Sequence, residues 1–533
     1  MYLNCKTYYS FRYGTFSTSE IINTALDNGV STLALTNINS TCDLWEFVKL
    51  AHKAGIKPIA GVEVRNDDKL LYILLAANNK GLSWIHEFLS DHLVNKKQFP
   101  ETSPAIGFFE NTNDGFVIYP LYAKSFSELN HNERVGILPW EVGKLHSPEW
   151  KNHKEKLVIR QPVTFQNKTY FNLHRLLRSI NKNCLLSQLP LETQAQERET
   201  FVAPSVLLKA FEHFPFIVTN TYQLMDTCHV SIDFRVDKNK QCYSTSKKDD
   251  RVLLLKLTHD GFLKRYGKKN KVALERMEKE LKIIDEQGFN AYFLINNDIV
   301  HYASSRGFYH VGRGSGANSI VAYCLGITDV DPIELNLYFE RFLNPERTSP
   351  PDFDIDFSYT DRDEIMDYIF KRFGNDHVAI CGSYSTFKHD AVIHELGKVF
   401  GLPEEEIKSL QKAPQPADEI QKLILKYGRL LKGFPNIMSI HPCGMLITEE
   451  KITNYATCFL PPKNFTAVQM DMFTAEDISI NTFALFSQRG LGHIRECLQL
   501  IKHNRGVAVN IHDFQYFKND GAIKKQISES NNL

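Results

Sequence analysis

At 533 residues the chain is too long to fold around one core, so two or three domains are expected. Hydrophobic residues at 43% and charged residues at 23% describe an ordinary globular protein, and 62 Lys plus Arg against 62 Asp plus Glu argue against a protein that coats DNA by bulk charge. Ten cysteines without a Cys-x-x-Cys pair argue against a disulfide framework or a zinc site. No apolar run reaches the length of a signal or membrane-spanning segment, so a cytoplasmic protein with no membrane partner is expected.

Residues 1–235 alternate strand-like and helix-like segments. Ser17-Thr18-Ser19-Glu20 is a capping-box pattern that opens a helix ending near Gly29. Ser31 to Leu35 reads as a buried strand, Asp43 to Ala54 as a helix closed by Gly55, and Lys57 to Val64 as a strand. Leu70 to Ala77 is a further apolar strand before a helix over Leu82 to Leu93. Repeated units of this kind favour parallel strands with helical cover, open or closed as a barrel. His174, beside Arg175, reads as a surface helix residue or a metal ligand. A polar, lysine-rich stretch from Asp226 to Asp250 marks a boundary. Lys264 to Lys271 is basic and reads as a solvated loop or a phosphate-backbone contact ahead of a helix at Val272 to Ile284.

Two motifs carry chemistry. Tyr309 to Ser319, containing Gly312-Arg313-Gly314-Ser315-Gly316, leads into an apolar helix start at Ile320 to Leu325. Glycines allow backbone N–H groups to turn toward an anion, while Arg313, Ser315 and Ser319 add donors. Alone, such a loop reads equally as a flexible turn. Further on, Ser349-Pro350-Pro351-Asp352-Phe353-Asp354-Ile355-Asp356-Phe357 alternates acids with apolar residues. Period two is the strand period, so the acids share one face and Phe353, Ile355 and Phe357 the other. Such a face is either a solvated sheet edge or a seat for a hard cation. A polyphosphate loop beside carboxylates that hold a cation equips a site for phosphoryl or nucleotidyl transfer.

Beyond the acidic strand, Arg362 to Phe373 reads as a helix ending at Gly374, Val378 to Cys381 as a strand, and Thr386 to Val399 as the start and run of another helix. Gly401 to Pro435 is helical and lysine-rich, and the stretches Ser439 to Ile447 and Val468 to Met472 follow it. His441 next to Cys443 imitates a nucleophilic dyad, but Pro442 separates the two and no acid orients the histidine.

Four blocks in order resemble the palm of the bacterial DNA polymerase III α subunit. They are Gly312-Arg313-Gly314-Ser315, Thr328-Asp329-Val330-Asp331-Pro332, Phe339 to Arg347, and Pro351 to Phe357. The resemblance implies an α/β and α+β multidomain chain: a distorted β/α barrel of the polymerase-and-histidinol-phosphatase (PHP) type at 1–235, the first part of a polymerase-β-like palm at 236–395, a thumb-like helical insertion at 396–438, and the second part of the palm at 439–533. It implies template-directed DNA synthesis on primer-template DNA from deoxynucleoside triphosphates, with other replisome subunits as further partners. Asp354 and Asp356 match catalytic, metal-holding positions for two Mg²⁺, with Mn²⁺ as the alternative. Gly314 and Ser315, with Arg313, match the nucleotide-binding loop.

The same resemblance exposes departures. The PHP metal cluster opens with a His-x-His pair, where this chain has Asn4 and Lys6. A Thr-Asp pair is replaced by Thr36-Asn37, and Glu63 alone matches a ligand, so a metal-free, structural domain is expected. His394 stands where the family carries arginine. In the block Thr482 to Ile494, Ala484 stands where the third catalytic aspartate belongs and Thr482 where a lysine does, so impaired activity is expected, with Asp352 or Asp471 as substitute acids. No fingers segment is visible before Leu533, Val509 to Phe514 is followed by a polar end expected to fray, and a truncated or decayed α subunit is expected. The alternatives are a non-catalytic accessory or relic subunit that binds DNA or nucleotide, and a PHP phosphoesterase.

Overall fold

The computed structural model describes residues 1–104, 114–145, 148–344, 352–412, 414–416, 418–511 and 520–529. Pro345-Glu346-Arg347, Ser349-Pro350-Pro351 and His512-Asp513-Phe514 of the motifs above lie outside the described residues, as does the polar end from 530. The chain packs as two compact units. One comprises Met1–Lys238, Asp376–His441 and Glu450–Ile480, the other Asn239–Asn375, Pro442–Glu449 and Asn481–Leu533.

The first unit is built on a curled eight-stranded sheet. Its strands are β1 (Tyr2–Cys5), β2 (Thr32–Ile38), β3 (Lys57–Asn66), β4 (Lys69–Ala76), β5 (Gly115–Pro120), β6 (Glu133–Ile137), β7 (Leu157–Ile159) and β8 (Pro162–Val163), in the order β7-β6-β5-β4-β3-β2-β1-β8. The capping box forms as expected: Ser17 Oγ accepts from Glu20 N at 3.2 Å and Glu20 Oε2 accepts from Ser17 N at 2.7 Å, starting the helix Thr18–Asp27. That helix and the next, Leu44–Lys53, link β1 to β2 and β2 to β3, which pair in parallel.

The expected parallel pairing is interrupted at β3. Only Asp67 and Asp68 connect β3 to β4, with Asp67 at φ +51°, and so short a link permits an antiparallel hairpin but no crossover. β4 and β5 are likewise antiparallel, and parallel pairing resumes from β5 to β7.

A second core in this unit joins the helix Lys168–Lys182 to three helices of the lysine-rich stretch, His389–Phe400, Glu404–Lys412 and Glu419–Leu431. Leu173, Leu176, Leu177 and Ile180 pack with Val392, Ile393, Leu396, Ile424 and Leu431. The apolar face of the insertion is therefore buried within the first unit. His174 corrects the surface reading. It is fully buried, its Nδ1 lies 2.7 Å from Tyr13 O and its Nε2 accepts from Ala195 N at 2.8 Å. Leu173, Leu176, Leu177 and Ile180 mark the buried stripe, and His174 falls beside it.

Seven strands complete the chain: β9 (His310–Arg313), β10 (Asp354–Ser358), β11 (Val378–Thr386), β12 (Pro435–Ile447), β13 (Cys458–Phe459), β14 (Ala467–Val468) and β15 (Phe483–Gln488). Within the second unit the order is β12-β15-β10-β9, with helices Lys247–Tyr266, Lys271–Glu286, Asn290–Ser305 and Arg362–Phe373. β10 runs parallel to β15 and antiparallel to β9. Phe353, Ile355 and Phe357 are all buried, as their alternation requires.

Candidate active site

β10 supplies two acids rather than three to the face opposite this core. Asp352 precedes the strand and is exposed. Asp354 is half-buried and Asp356 nearly fully buried. Opposite Asp354 on β9 stands Arg313, and its guanidinium reaches both acids: Nη1 is 3.0 Å from Asp354 Oδ2, and Nε is 3.0 Å from Asp356 Oδ2. The same guanidinium carbon lies 4.4 Å from the centre of the Phe486 ring on β15, a cation–π contact. Burial, with Asp354 adding to it, raises Asp356 above the usual carboxylate range, and Arg313 opposes the rise.

The strand register places the missing acid. Ala484 pairs with Asp354 across the parallel β10–β15 ladder, and Phe486 with Asp356. Arg313, Asp354 and Ala484 therefore form one row over three strands, each about 4.8 Å from the next. A carboxylate at 484 would stand beside Asp354. Alanine brings no oxygen. Asp471 caps the helix Met472–Asp477 by accepting from Thr474 N at 2.8 Å. Among the described residues no cluster of three His, Cys, Asp or Glu side chains is gathered for a metal. Asp354 and Asp356 are nonetheless hard oxygen donors on one strand face, a donor set that fits a divalent cation shared between the two.

The glycine loop follows directly on β9. Gly314 has φ +74°, which favours glycine, and a Cβ there would press on Asp354 Oδ2 at 3.0 Å. Residues Gly314–Asn318 form one 3-10 turn, and the helix beyond it, Ile320–Cys324, is a single turn. Ser315, within the turn, is half-buried. Ser319 is fully buried and engaged as a cap, accepting from Ala322 N at 3.1 Å and donating to Glu280 Oε2 at 2.8 Å. That corrects its reading as a phosphate donor.

Glu280 was not singled out from the sequence. It is fully buried under the loop and paired with Arg276 Nε at 2.7 Å, while Arg276 Nη2 donates to Asn318 O and Leu337 O, each at 3.2 Å. Burial pushes Glu280 up to about 7 against the pull of Arg276 and Ser319. The only sequence signal is the i,i+4 Arg–Glu spacing, which is common on solvated helices.

The expected PHP metal position holds no ligand set. Lys6 Nζ lies 2.7 Å from Glu63 Oε2, Asn4 Nδ2 donates to the same oxygen at 2.6 Å, and Arg65 Nε donates to Glu63 Oε1 at 2.5 Å. Burial alone would raise Glu63, but Arg65 and Lys6 bring it down to about 2. Asn37 is a structural hub: its Oδ1 accepts from Thr7 N and Ser10 Oγ, each at 2.8 Å, and its Nδ2 donates to Asp43 at 2.7 Å. An ammonium already fills the place a cation would need, so these residues do not fit a metal cluster. His394 sits 3.4 Å from Glu395 and 3.6 Å from Glu404. Burial raises the Cys443 thiol, which is opposite to the activation a nucleophile needs.

The model of the bacterial DNA polymerase III alpha NTPase domain matches residues 252–484, and the PHP domain model matches residues 3–130. This is a bacterial DNA polymerase III α-like protein. The α-like chain is 27% identical to the error-prone DNA polymerase of Symbiobacterium thermophilum over 570 residues, covering 94% of this chain and 52% of that one. It is 28% identical to the DNA polymerase III subunit alpha of Neisseria meningitidis serogroup B (96% of this chain, 51% of that one). To the same subunit of Escherichia coli K12 it is 27% identical (95% and 49%). The α-like chain thus spans about half the length of the curated relatives it matches. Among its described residues, no helix is long and apolar enough to cross a membrane.

Proposed function

We propose that this chain carries the nucleotidyl-transfer site of a template-directed DNA polymerase, acting on primer-template DNA and deoxynucleoside triphosphates in the cytoplasm alongside other replisome subunits. In this reading residues 1–235 are the PHP-like part, 236–395 and 439–533 the palm, and 396–438 the thumb-like insertion. The observation that carries it is the row of Asp354 and Asp356 beside the Gly314 turn. Asp354 and Asp356 would hold the divalent cation, Mg²⁺ or Mn²⁺, which supplies Lewis-acid stabilisation of the phosphoryl oxygens and the primer hydroxyl. Arg313, Gly314 and Ser315 would hold the triphosphate, Arg313 exchanging its bonds to the two acids for bonds to phosphate oxygens. Glu280, through Ser319, keeps the backbone of that loop in place.

A second reading, a non-catalytic subunit that still binds nucleotide or DNA, rests on a specific observation. Ala484 removes a carboxylate beside Asp354, and Arg313 neutralises the two that remain. Primer extension with Mg²⁺ or Mn²⁺, comparing the wild type with Asp354→Ala, separates the two. Extension by the wild type that the variant abolishes supports catalysis. Equal, background-level extension by both supports the non-catalytic subunit.

A further inference from the structure

The place where a PHP metal cluster is not accommodated is still a cavity, of about 270 Å³, lined by the buried Asn4, Lys6, Glu63 and Arg160 and the partly buried Arg65. Those side chains carry three positive charges against one negative. Glu63 is shared by Lys6 and Arg65, which leaves Arg160 without an acid of its own. Arg160 is more than nine-tenths buried and its Nε has no hydrogen-bond partner. Its arm lies against Gly136, where a Cβ would meet Arg160 Cβ at 2.8 Å, so the side chain is held rather than splayed.

The acids around the cavity mouth are engaged elsewhere or lie at the surface. Asp68 is paired with both Arg178 and Lys182. Glu199 accepts from Thr164 Oγ1 at 2.9 Å and from Gln196 N at 3.0 Å. Glu192 is exposed, and Glu141 faces Arg160 only at longer range while its Oε1 pairs with Lys144. Glu199 also lines the cavity and faces Arg160, its hydrogen bonds to neutral donors leaving its charge in place, so the lining keeps a surplus of about one positive charge, which is costly unless a counter-ion is taken up. Guanidinium and ammonium groups together match the oxygens of a tetrahedral anion.

We propose that this cavity binds a small tetrahedral oxyanion of phosphate size, with Arg160 and Lys6 as its cationic ligands, in place of the metal ions that the same position cannot hold. The exchange of His-type ligands for Asn4 and Lys6 then converts a cation site into an anion site. This inference stands apart from the polymerase reading, because every residue in it belongs to the first unit.

The test is calorimetric titration of inorganic phosphate, with sulfate and chloride arms at constant ionic strength, into the full chain. Three variants are compared with the wild type: Arg160→Met, Arg160→Lys and Arg313→Ala. One saturable phosphate site is expected, weakened at least tenfold by Arg160→Met and unchanged by Arg313→Ala. Should Arg160→Met fail to fold, Arg160→Lys keeps the charge without the fork and is expected to bind several-fold more weakly than the wild type. The proposal is overturned by an absence of saturation up to about 10 mM phosphate, by equal binding to wild type and both Arg160 variants, or by loss of the site in Arg313→Ala, which would place the anion on the glycine loop. Mn²⁺ uptake abolished by Glu63→Gln would also overturn it.

Discussion

Arg313 faces two demands at once. In the structure it neutralises Asp354 and Asp356, and in the proposed reaction both a cation and a triphosphate compete for those partners. A half-exposed ion pair of this kind is worth about 1 kcal/mol. Arg313→Ala is therefore expected to tighten Mn²⁺ binding at the aspartates by roughly fivefold while weakening triphosphate binding, both read by titration of the full chain. Weaker Mn²⁺ binding in the variant would show that the arginine supports the acids instead of competing for them. Ala484→Asp adds a third carboxylate to the row. Without metal it brings like charges together and is expected to lower the melting temperature, and saturating Mg²⁺ is expected to restore it. A melting temperature equally low with and without Mg²⁺ would mean that the row cannot seat the ion. The alternation of β10 was legible because period two is local. The placement of Arg313 was not, because it depends on the register of β9 against β10, forty residues apart in the chain.

Among the elements, the helix Lys271–Glu286 is what fixes the glycine loop. Arg276 and Glu280 look like a solvated i,i+4 pair, and only the packing of the loop over them reveals a buried network. Removing one partner of a buried pair costs about 3–5 kcal/mol, so Glu280→Ala is expected to be strongly destabilising in chemical denaturation. Glu280 is raised in the folded chain to about 7 from the unfolded 4.5, so the folded state binds the extra proton between those values. Stability from this group is fully present below pH 4.5 and declines as pH rises toward 7. Glu280→Gln is expected to lose that slope while keeping an acceptor for Ser319. An unchanged pH profile in the Gln variant would assign the slope elsewhere. The hairpin from β3 to β4 teaches a related lesson. Both strands were legible from their apolar runs, and the two-residue link that makes them antiparallel was present in the same sequence, but the repeated strand–helix rhythm before it pointed to a parallel pair.

At the scale of the whole molecule, the two units differ in how acid should affect them. The first unit buries His174, lowered to about 3, and His86, lowered to about 4, both chiefly by burial, and it holds Glu63 down at about 2. A histidine neutral in the fold takes up a proton on unfolding below about 6.5, so its contribution is lost as pH falls from 6.5 toward its folded value. Glu63 acts in the same direction between 4.5 and about 2. Asp43, raised to about 6, and Glu46, raised to about 7, both chiefly by burial, oppose them between those values and their ordinary 3.8 and 4.5. The two histidines and Glu63 together outweigh the two raised acids, because their summed displacements are larger and each pH unit is worth about 1.4 kcal/mol. All four tryptophans, Trp45, Trp84, Trp140 and Trp150, lie in this unit, so intrinsic fluorescence reports its unfolding selectively. The fluorescence-detected denaturation midpoint is expected to fall from pH 6.5 to 4. His174→Gln is expected to flatten that fall, since glutamine can accept from Ala195 N without acquiring a charge. If the midpoint instead holds steady down to pH 4 in the wild type, the buried imidazoles do not govern the acid response, and the carboxylates of the same unit must balance them.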